Sequence, residues 1–182
     1  MSKKCLLIVD LQNDFCPGGA LAVKDGDKIV EPINNIMDKF DLVIASKDMH
    51  PEKTVHFEKW PVHCVKNTFG SEFHPELKSE KIDFVFEKGT GNKDDGYSAF
   101  EATNKNLEEF LKENNVSELY VCGLATDYCV KATVLDALKR GFKTFVLTDC
   151  IKAVNLNPDD GEKALKEMKD KGAILTESKK LK

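Results

Sequence analysis

The sequence predicts an α/β fold: a single-domain, doubly wound, six-stranded parallel sheet with helices on both faces. Short and continuously apolar runs recur along the chain, and segments with helical spacing separate several of them. Continuous apolar runs are typical of strands that a parallel sheet buries on both faces. Alternation of strands and helices with right-handed crossovers gives a doubly wound sheet. The 182 residues suit one domain, which we place at 1–182.

Six apolar runs are predicted as strands, and four segments have the apolar spacing of amphipathic helices. The strands are predicted at 5–9, 42–45, 84–86, 119–122, 144–147 and 173–175. The helical stripes are Ile29, Ile33, Ile36, Met37 and Phe40; Leu107, Phe110 and Leu111; Val130, Val134, Ala137 and Leu138; and Ala164, Leu165 and Met168. Glycines and asparagines close three of the helices, at Asn114–Asn115, Gly141 and Gly172. The segments 47–81 and 89–100 interrupt the alternation, and long loops of this kind tend to carry function.

Composition and charge exclude several classes of partner. The net charge of -4 gives no electrostatic reason to expect nucleic acid or an anionic membrane. The first apolar run stops at Asp10, far short of a signal-peptide core or a membrane span, so we expect a cytoplasmic protein. The six cysteines form no Cys-x-x-Cys pair, which argues against thioredoxin chemistry and zinc ribbons. We expect a small-molecule substrate, and the fold class permits both a monomer and a homo-oligomer.

Four predicted strands end in residues that carry chemistry. Asp10 follows the first strand, the second ends in Asp48-Met49-His50, Lys88 follows the third, and Cys129 follows the fourth where a helix opens. In an open parallel sheet, ligands bind outside the carboxyl ends of the strands. An acid, a metal-ligand pair, a lysine and a cysteine are therefore expected to converge at one edge.

Cys129 is the candidate nucleophile among the six cysteines. A helix start offers free N–H groups and partial positive charge, which would stabilise a thiolate and hold an oxyanion. A core position is the alternative, but the apolar stripe is centred on Val130 and Val134 rather than on Cys129. Asp10 is either a turn former or a general base. Lys88 alone would be interpreted as a solvated lysine, whereas between Asp10 and Cys129 it would keep both charged.

The histidines indicate a metal site. Three of the four, His50, His56 and His63, lie in one short window that opens with Asp48. Three imidazoles and one carboxylate suit a single divalent ion, either zinc, iron(II) or manganese. His74 lies beyond this window and is interpreted as structural. Phe15, Trp60 and Tyr97 lie near the same loops, where they are either loop anchors or the wall of a site for a flat aromatic substrate.

A set of ordered motifs resembles the nicotinamidases of the isochorismatase-like cysteine hydrolase superfamily. The motifs are 9–19 (VDLQNDFCPGG), 48–51 (DMHP), 60–65 (WPVHCV), 72–75 (EFHP), 88–89 (KG), 97–100 (YSAF) and 123–130 (GLATDYCV). They span most of the chain up to about Ala153, in order and at family spacing, which is far more specific than a single short motif.

The resemblance implies an activity and a role for each matching residue. It implies hydrolysis of nicotinamide and pyrazinamide through a cysteine thioester, with Asp10, Lys88 and Cys129 as the catalytic triad. It also implies metal ligation by Asp48, His50 and His63, with His56 at a position where some members have a fourth histidine and others a serine. The matching ring-binding residues are Phe15, Trp60 and Tyr97. The matching oxyanion donors are the backbone N–H groups of Ala125 and Cys129, and a cis peptide precedes Ala125 in the family.

Small departures from the family pattern leave the fine substrate preference open. Ala99 stands where glycine is common, 92–96 is unusually polar, and 155–160 has no close match. Two alternatives remain at this point. One is another amidase of the same superfamily with a carbamoyl or ureido substrate, although those relatives lack the metal loop. The other is a non-enzymatic metal-binding or redox-sensing protein that uses Cys129 as its sensor.

Overall fold

The computed structural model of the chain describes residues 2–181. Its six strands form one sheet in which every neighbouring pair is parallel, in the order β3-β2-β1-β4-β5-β6. The strands are β1 Lys3–Val9, β2 Leu42–Asp48, β3 Phe84–Lys88, β4 Val116–Leu124, β5 Lys143–Lys152 and β6 Ile174–Thr176. The α-helices are α1 Val30–Ile36, α2 Leu107–Glu113, α3 Lys131–Lys139 and α4 Asp160–Asp170. The predicted fold class is therefore confirmed.

Helices cover both faces of the sheet, three on one face and one on the other. Residues Leu7 and Val9 of β1 pack with apolar side chains of α2, α3 and α4. The alternating residues Leu6 and Ile8 pack with α1, with the connection before it and with residues of the 47–81 loop. Both clusters contain fully buried side chains, so the runs in the central strands have the two-sided burial that the prediction requires. The edge strands β3 and β6 are only partly buried.

The boundaries differ from the predicted ones in two ways. The first five strands extend beyond their predicted bounds into flanking residues, because backbone pairing continues past the apolar stretch, and the sixth is shifted by one residue. The stripe predicted at 29–40 is divided: a 3₁₀ turn at Gly26–Ile29 precedes α1, and another at Met37–Lys39 follows it. None of the helices within 2–181 has the length and apolar character that a membrane span requires.

The order of the strands determines where a site can form. The chain winds from β1 outwards to β3, then returns to the other side of β1 and winds outwards from β4 to β6. The reversal lies between β1 and β4, where Val9 pairs with Gly123. In doubly wound sheets the crevice at such a reversal, outside the carboxyl ends of the strands, is the usual place for a ligand.

Candidate active site

The side chains at the carboxyl ends of four adjacent strands converge at this crevice. Asp10 follows β1, Asp48 ends β2, Lys88 ends β3 and Cys129 lies five residues after β4. Register accounts for this convergence, since Val9 pairs with Ser46 and Asp48 pairs with Lys88. The Cys129 thiol and a carboxylate oxygen from each of Asp10 and Asp48 lie within 4.8 Å of one another. The expected convergence of acid, lysine and cysteine is therefore present.

Lys88 is the centre of this arrangement. Its side chain is fully buried, and Nζ lies 2.7 Å from Asp10 Oδ2 and 2.5 Å from Asp48 Oδ1. Nζ also donates to the Gly96 carbonyl at 2.5 Å and to Cys129 Sγ at 3.6 Å. Burial lowers the pKa of Lys88, but Asp10, Asp48 and Cys129 together raise it well above its ordinary value. Lys88 is therefore a permanent buried cation shared by two carboxylates and a thiol.

Asp10 is a buried carboxylate that can hold a proton. It lies directly after β1 with a positive φ of 47°, and Ser46 donates to its Oδ1 at 2.7 Å. Burial raises the pKa of Asp10 more than Lys88 and Ser46 lower it, and the charge of Asp48 raises it further. A carboxylate with a raised pKa next to a thiol is suited to accept and return that thiol's proton.

Cys129 is the most accessible of the cysteines, all six of which lie in the described part of the chain. It is half-buried, while the other five are buried. It lies in a π-helical turn, Thr126–Val130, that leads into α3. Burial raises the pKa of the Cys129 thiol well above its ordinary value, and Asp10 and Asp48 raise it further while Lys88 lowers it. Burial and the two nearby carboxylates therefore oppose the thiolate that Lys88 favours, and stabilisation of a thiolate by the helix start stays a prediction.

The three histidines of the 47–81 loop form a cluster with the chemistry of a metal centre. His50, His56 and His63 are buried, and each contributes a ring nitrogen within 4.8 Å of the others. Each Nδ1 lies next to an oxygen: the Gly89 carbonyl at 2.8 Å, Asp94 Oδ1 at 3.0 Å and the Pro61 carbonyl at 2.7 Å. A proton on Nδ1 leaves the lone pair on Nε2, which is the arrangement of a histidine ligand fixed by an outer partner.

The donor set fits a divalent cation by two further observations. His50 Nε2 is buried and has no hydrogen-bond partner among the residues described. Asp48 Oδ2 lies 3.5 Å from His50 Nε2 and 3.9 Å from His63 Nε2, so a carboxylate faces the same space. Burial lowers the pKa of both His56 and His63, which keeps these rings neutral and able to ligate. Nitrogen and carboxylate ligands of this kind suit zinc, iron or manganese.

Gly89 determines where the His50 ring lies. Gly89 has a positive φ of 64°, and a Cβ added there would lie 2.5 Å from His50 Cε1 and 2.8 Å from its Nδ1. No side chain fits at that separation, so the backbone can approach the ring only at a glycine. The Gly89 carbonyl that accepts from His50 Nδ1 depends on this close approach.

An aromatic-walled cavity opens onto both groups of residues. Its lining includes Phe15, Trp60 and Tyr97, together with Asp48, His56, His63, Ala125 and Cys129. Trp60 Nε1 donates to Tyr97 Oη at 3.0 Å, and the Phe15 ring lies 5.4 Å from that of His63. Of the two sequence interpretations of these aromatic residues, the cavity wall is the one that the structure supports. The Leu124–Ala125 peptide is cis, as the family resemblance implied.

Sequence reasoning missed four residues that contact this site. Ser46 holds Asp10, and the Gln12 side chain accepts from Asp48 N–H at 2.9 Å while donating to its carbonyl at 2.8 Å. The Tyr128 ring packs edge-on against Trp60, and Asp94 contacts His56. Ser46 carried a usable signal, since it is a polar residue at the end of an apolar strand. Asp94 carried none, because its partner His56 is 38 residues away in another loop.

Comparisons with known proteins agree on one family. A family model described as the isochorismatase domain matches residues 4–180. A nicotinamidase of Escherichia coli (strain K12) is 42% identical over 202 residues, covering 96% of this chain and 95% of that protein. The structure of a nicotinamidase–pyrazinamidase of Acinetobacter baumanii superposes with a TM-score of 0.93 at 35% identity, covering 100% of this chain and 99% of that chain. A pyrazinamidase of Pyrococcus horikoshii in complex with zinc gives a TM-score of 0.86 at 42% identity, covering 96% of this chain and 98% of that chain.

Proposed function

This chain belongs to the isochorismatase family, and we propose that it is a nicotinamidase that hydrolyses nicotinamide, and also pyrazinamide, to the corresponding acid and ammonia. One observation carries the proposal: the Cys129 thiol, with its buried lysine–carboxylate partners, and the histidine cluster border the same aromatic-walled cavity. A thiol beside a proton acceptor suits attack on an amide carbonyl. A flat aromatic wall suits a heteroaromatic ring. The names of the relatives at 35–42% identity support the same substrate class.

We assign the metal ligands to Asp48, His50 and His63, with His56 as a fourth. Two observations support this assignment. His50 Nε2 is buried without a hydrogen-bond partner among the residues described. Nδ1 of each of the three rings lies next to an oxygen acceptor, which leaves Nε2 free to bind a metal. When bound, a divalent ion supplies Lewis-acid chemistry: it can accept the lone pair of a pyridine nitrogen and acidify water. Zinc has direct support, because the Pyrococcus horikoshii relative was solved with it.

We assign the acylation step to Asp10, Lys88 and Cys129. Asp10 accepts the thiol proton, which its raised pKa permits, while the Lys88 cation stabilises the thiolate as it forms. The sulfur attacks the carboxamide carbon, and the backbone N–H groups of Ala125 and Cys129 hold the oxyanion. Asp10 then returns the proton to the nitrogen, the C–N bond breaks and ammonia leaves. Each oxyanion donor in chemistry of this kind is worth roughly a hundredfold or more in rate.

Deacylation restores the free thiol. Water attacks the thioester carbon, Asp10 accepts a proton from that water, and the C–S bond breaks to release nicotinic acid. The sulfur leaves as a thiolate beside Lys88 and recovers its proton from Asp10. Phe15, Trp60 and Tyr97 hold the ring during both steps.

The experiment is ammonia release from nicotinamide, pyrazinamide, benzamide and a ureido compound. Nicotinamide and pyrazinamide should be hydrolysed and benzamide much less, because benzamide has no ring nitrogen to bind at the histidine cluster. Turnover of benzamide at the rate of nicotinamide would overturn the recognition of the ring nitrogen. Turnover of the ureido compound alone would make the chain a different amidase of the family, and no ammonia from any amide would favour the sensor alternative.

We also propose a cytoplasmic location. The six cysteines are all free thiols, and free thiols in this number are typical of proteins in a reducing compartment.

A further inference from the structure

Asp94 lies in the polar loop between β3 and the 3₁₀ turn at Ala99–Glu101, and its carboxylate contacts three side chains. Oδ1 lies 3.0 Å from His56 Nδ1 and accepts from Tyr97 Oη at 2.7 Å. Oδ2 pairs with the ammonium of Lys59. The Asp94 side chain is 23% exposed and that of Lys59 is 67% exposed, so the pair lies nearer to solvent than the buried His56.

The contacts continue into the cavity wall. Tyr97 Oη accepts from Trp60 Nε1 at 3.0 Å and donates onward to Asp94, so its single hydroxyl is used in both directions. A chain of hydrogen bonds therefore runs from Trp60 through Tyr97 to Asp94 and ends on His56. The His56 and Tyr97 rings also pack against each other, with centroids 5.7 Å apart.

We infer that Asp94 is a positioning residue that fixes the His56 imidazole towards the metal and, through the same carboxylate, fixes the Tyr97 and Trp60 wall of the substrate pocket. This inference rests on the metal site under Proposed function. It goes beyond that proposal because it makes metal affinity and substrate binding depend on one loop carboxylate that does not itself face the ion.

The physical reason lies in the two nitrogens of His56. Its Nδ1 is engaged by Asp94, which leaves Nε2 as the nitrogen with a lone pair available to a metal. The backbone holds His56 less directly, through a 3₁₀ turn of four residues capped by Thr54. Without the carboxylate, the ring can rotate about its side-chain torsions, or take the tautomer with its proton on Nε2. Removing an outer partner of a metal-ligating histidine typically weakens metal binding by about 10- to 100-fold.

The test is metal binding by the full chain, independent of turnover. Apo-protein is titrated with Zn²⁺, and with Co²⁺ as a visible probe, for wild type, Asp94→Ala, Asp94→Asn and Asp95→Ala. Asp94→Ala should raise the metal Kd by about 10- to 100-fold. Asp94→Asn should have a smaller effect, because an amide oxygen can still accept from His56 and Tyr97. Asp95→Ala, in the same loop and without these contacts, should match wild type.

A double-mutant cycle separates positioning from general damage to the loop. In a His56→Ala background, Asp94→Ala should cause no further loss of metal affinity, because the effect passes through His56. Trp60 is the only tryptophan, so its emission reports the other end of the chain of hydrogen bonds. Asp94→Ala should shift that emission and raise the KM for nicotinamide more than it lowers kcat, and Asp95→Ala should do neither.

The outcomes distinguish this inference from the proposal beneath it. Wild type that binds neither metal overturns the proposed metal site and this inference together. Wild type that binds metal, with Asp94→Ala binding it equally well, overturns this inference alone. Equal losses from Asp94→Ala with and without His56 also overturn it, because the carboxylate would then act by another route.

Discussion

Removal of the Lys88 charge gives the most quantitative prediction about the thiol. In Lys88→Met the ammonium 3.6 Å from Cys129 Sγ is lost, while a buried apolar chain of similar length remains. At that separation and an effective dielectric of about 20, a unit charge contributes roughly 4–5 kcal/mol. That energy corresponds to about three pKa units on the thiol. The thiolate fraction at neutral pH would therefore fall by about a thousandfold.

The expected fall in alkylation rate is smaller, because a thiolate of higher pKa is a better nucleophile. With a Brønsted coefficient of about 0.4–0.5, a rise of about three pKa units makes the Cys129 thiolate roughly 20-fold more reactive. Labelling of Cys129 by a small alkylating agent at neutral pH should therefore slow by about 30- to 100-fold, a range that combines both effects. Labelling is followed by peptide mapping, so that only the Cys129 peptide is counted.

The matched control is Lys47→Met. Lys47 also lies at the end of β2, but its ammonium pairs with Glu72 and lies over the Phe73 ring. That variant should be labelled at the wild-type rate. Lys88→Met removes the positive charge that balances the two buried carboxylates, Asp10 and Asp48. Circular dichroism and a thermal melt must therefore first show that this variant folds. A folded Lys88→Met labelled as fast as wild type would refute the role assigned to the lysine.

Gly89, the buried cysteines and Asp10 can each be tested by a single measurement. Gly89→Ala should displace His50 and reduce bound metal while the chain still folds, measured by elemental analysis of the purified protein; full metal content would contradict the close approach described for Gly89. Cys16→Ala and Cys64→Ala should keep much of the ammonia release, because both thiols are buried and neither lines the cavity; a complete loss from either would contradict the assignment of Cys129 as the nucleophile. The acid limb of kcat/KM should lie above the ordinary aspartate range of about 3.9, because burial raises the pKa of Asp10 and activity is lost as pH falls through it. A profile measured with metal content checked at each pH, and flat down to about pH 4, would contradict this assignment.

The sheet and the position of the site could be predicted because both depend on short-range patterns. Runs such as 5–9 and 119–122 are apolar at every residue, and burial on both faces follows from that pattern alone. The residues after each strand then converge because parallel strands share one edge. The same pattern places Asp10, Lys88 and Cys129 at that edge.

The rest depends on contacts between distant loops, and on competition between opposing electrostatic effects. The engagement of His56 by Asp94 joins two loops whose relative placement no local pattern encodes. The pKa of the Cys129 thiol likewise depends on opposing effects, because Lys88 lowers it while burial, Asp10 and Asp48 raise it, and no local pattern encodes the extent of that burial. The division of the 29–40 stripe into one short α-helix and two 3₁₀ turns was likewise not visible from apolar spacing.

Trapping the acyl-enzyme tests whether Cys129 is the nucleophile. Wild-type protein mixed with nicotinamide is quenched in acid during turnover, digested and analysed by mass spectrometry. We expect a nicotinoyl adduct on the peptide that carries Cys129, and neither adduct nor ammonia from Cys129→Ala. Ammonia release by Cys129→Ala, or turnover by wild type with an adduct on a different cysteine, would contradict that expectation.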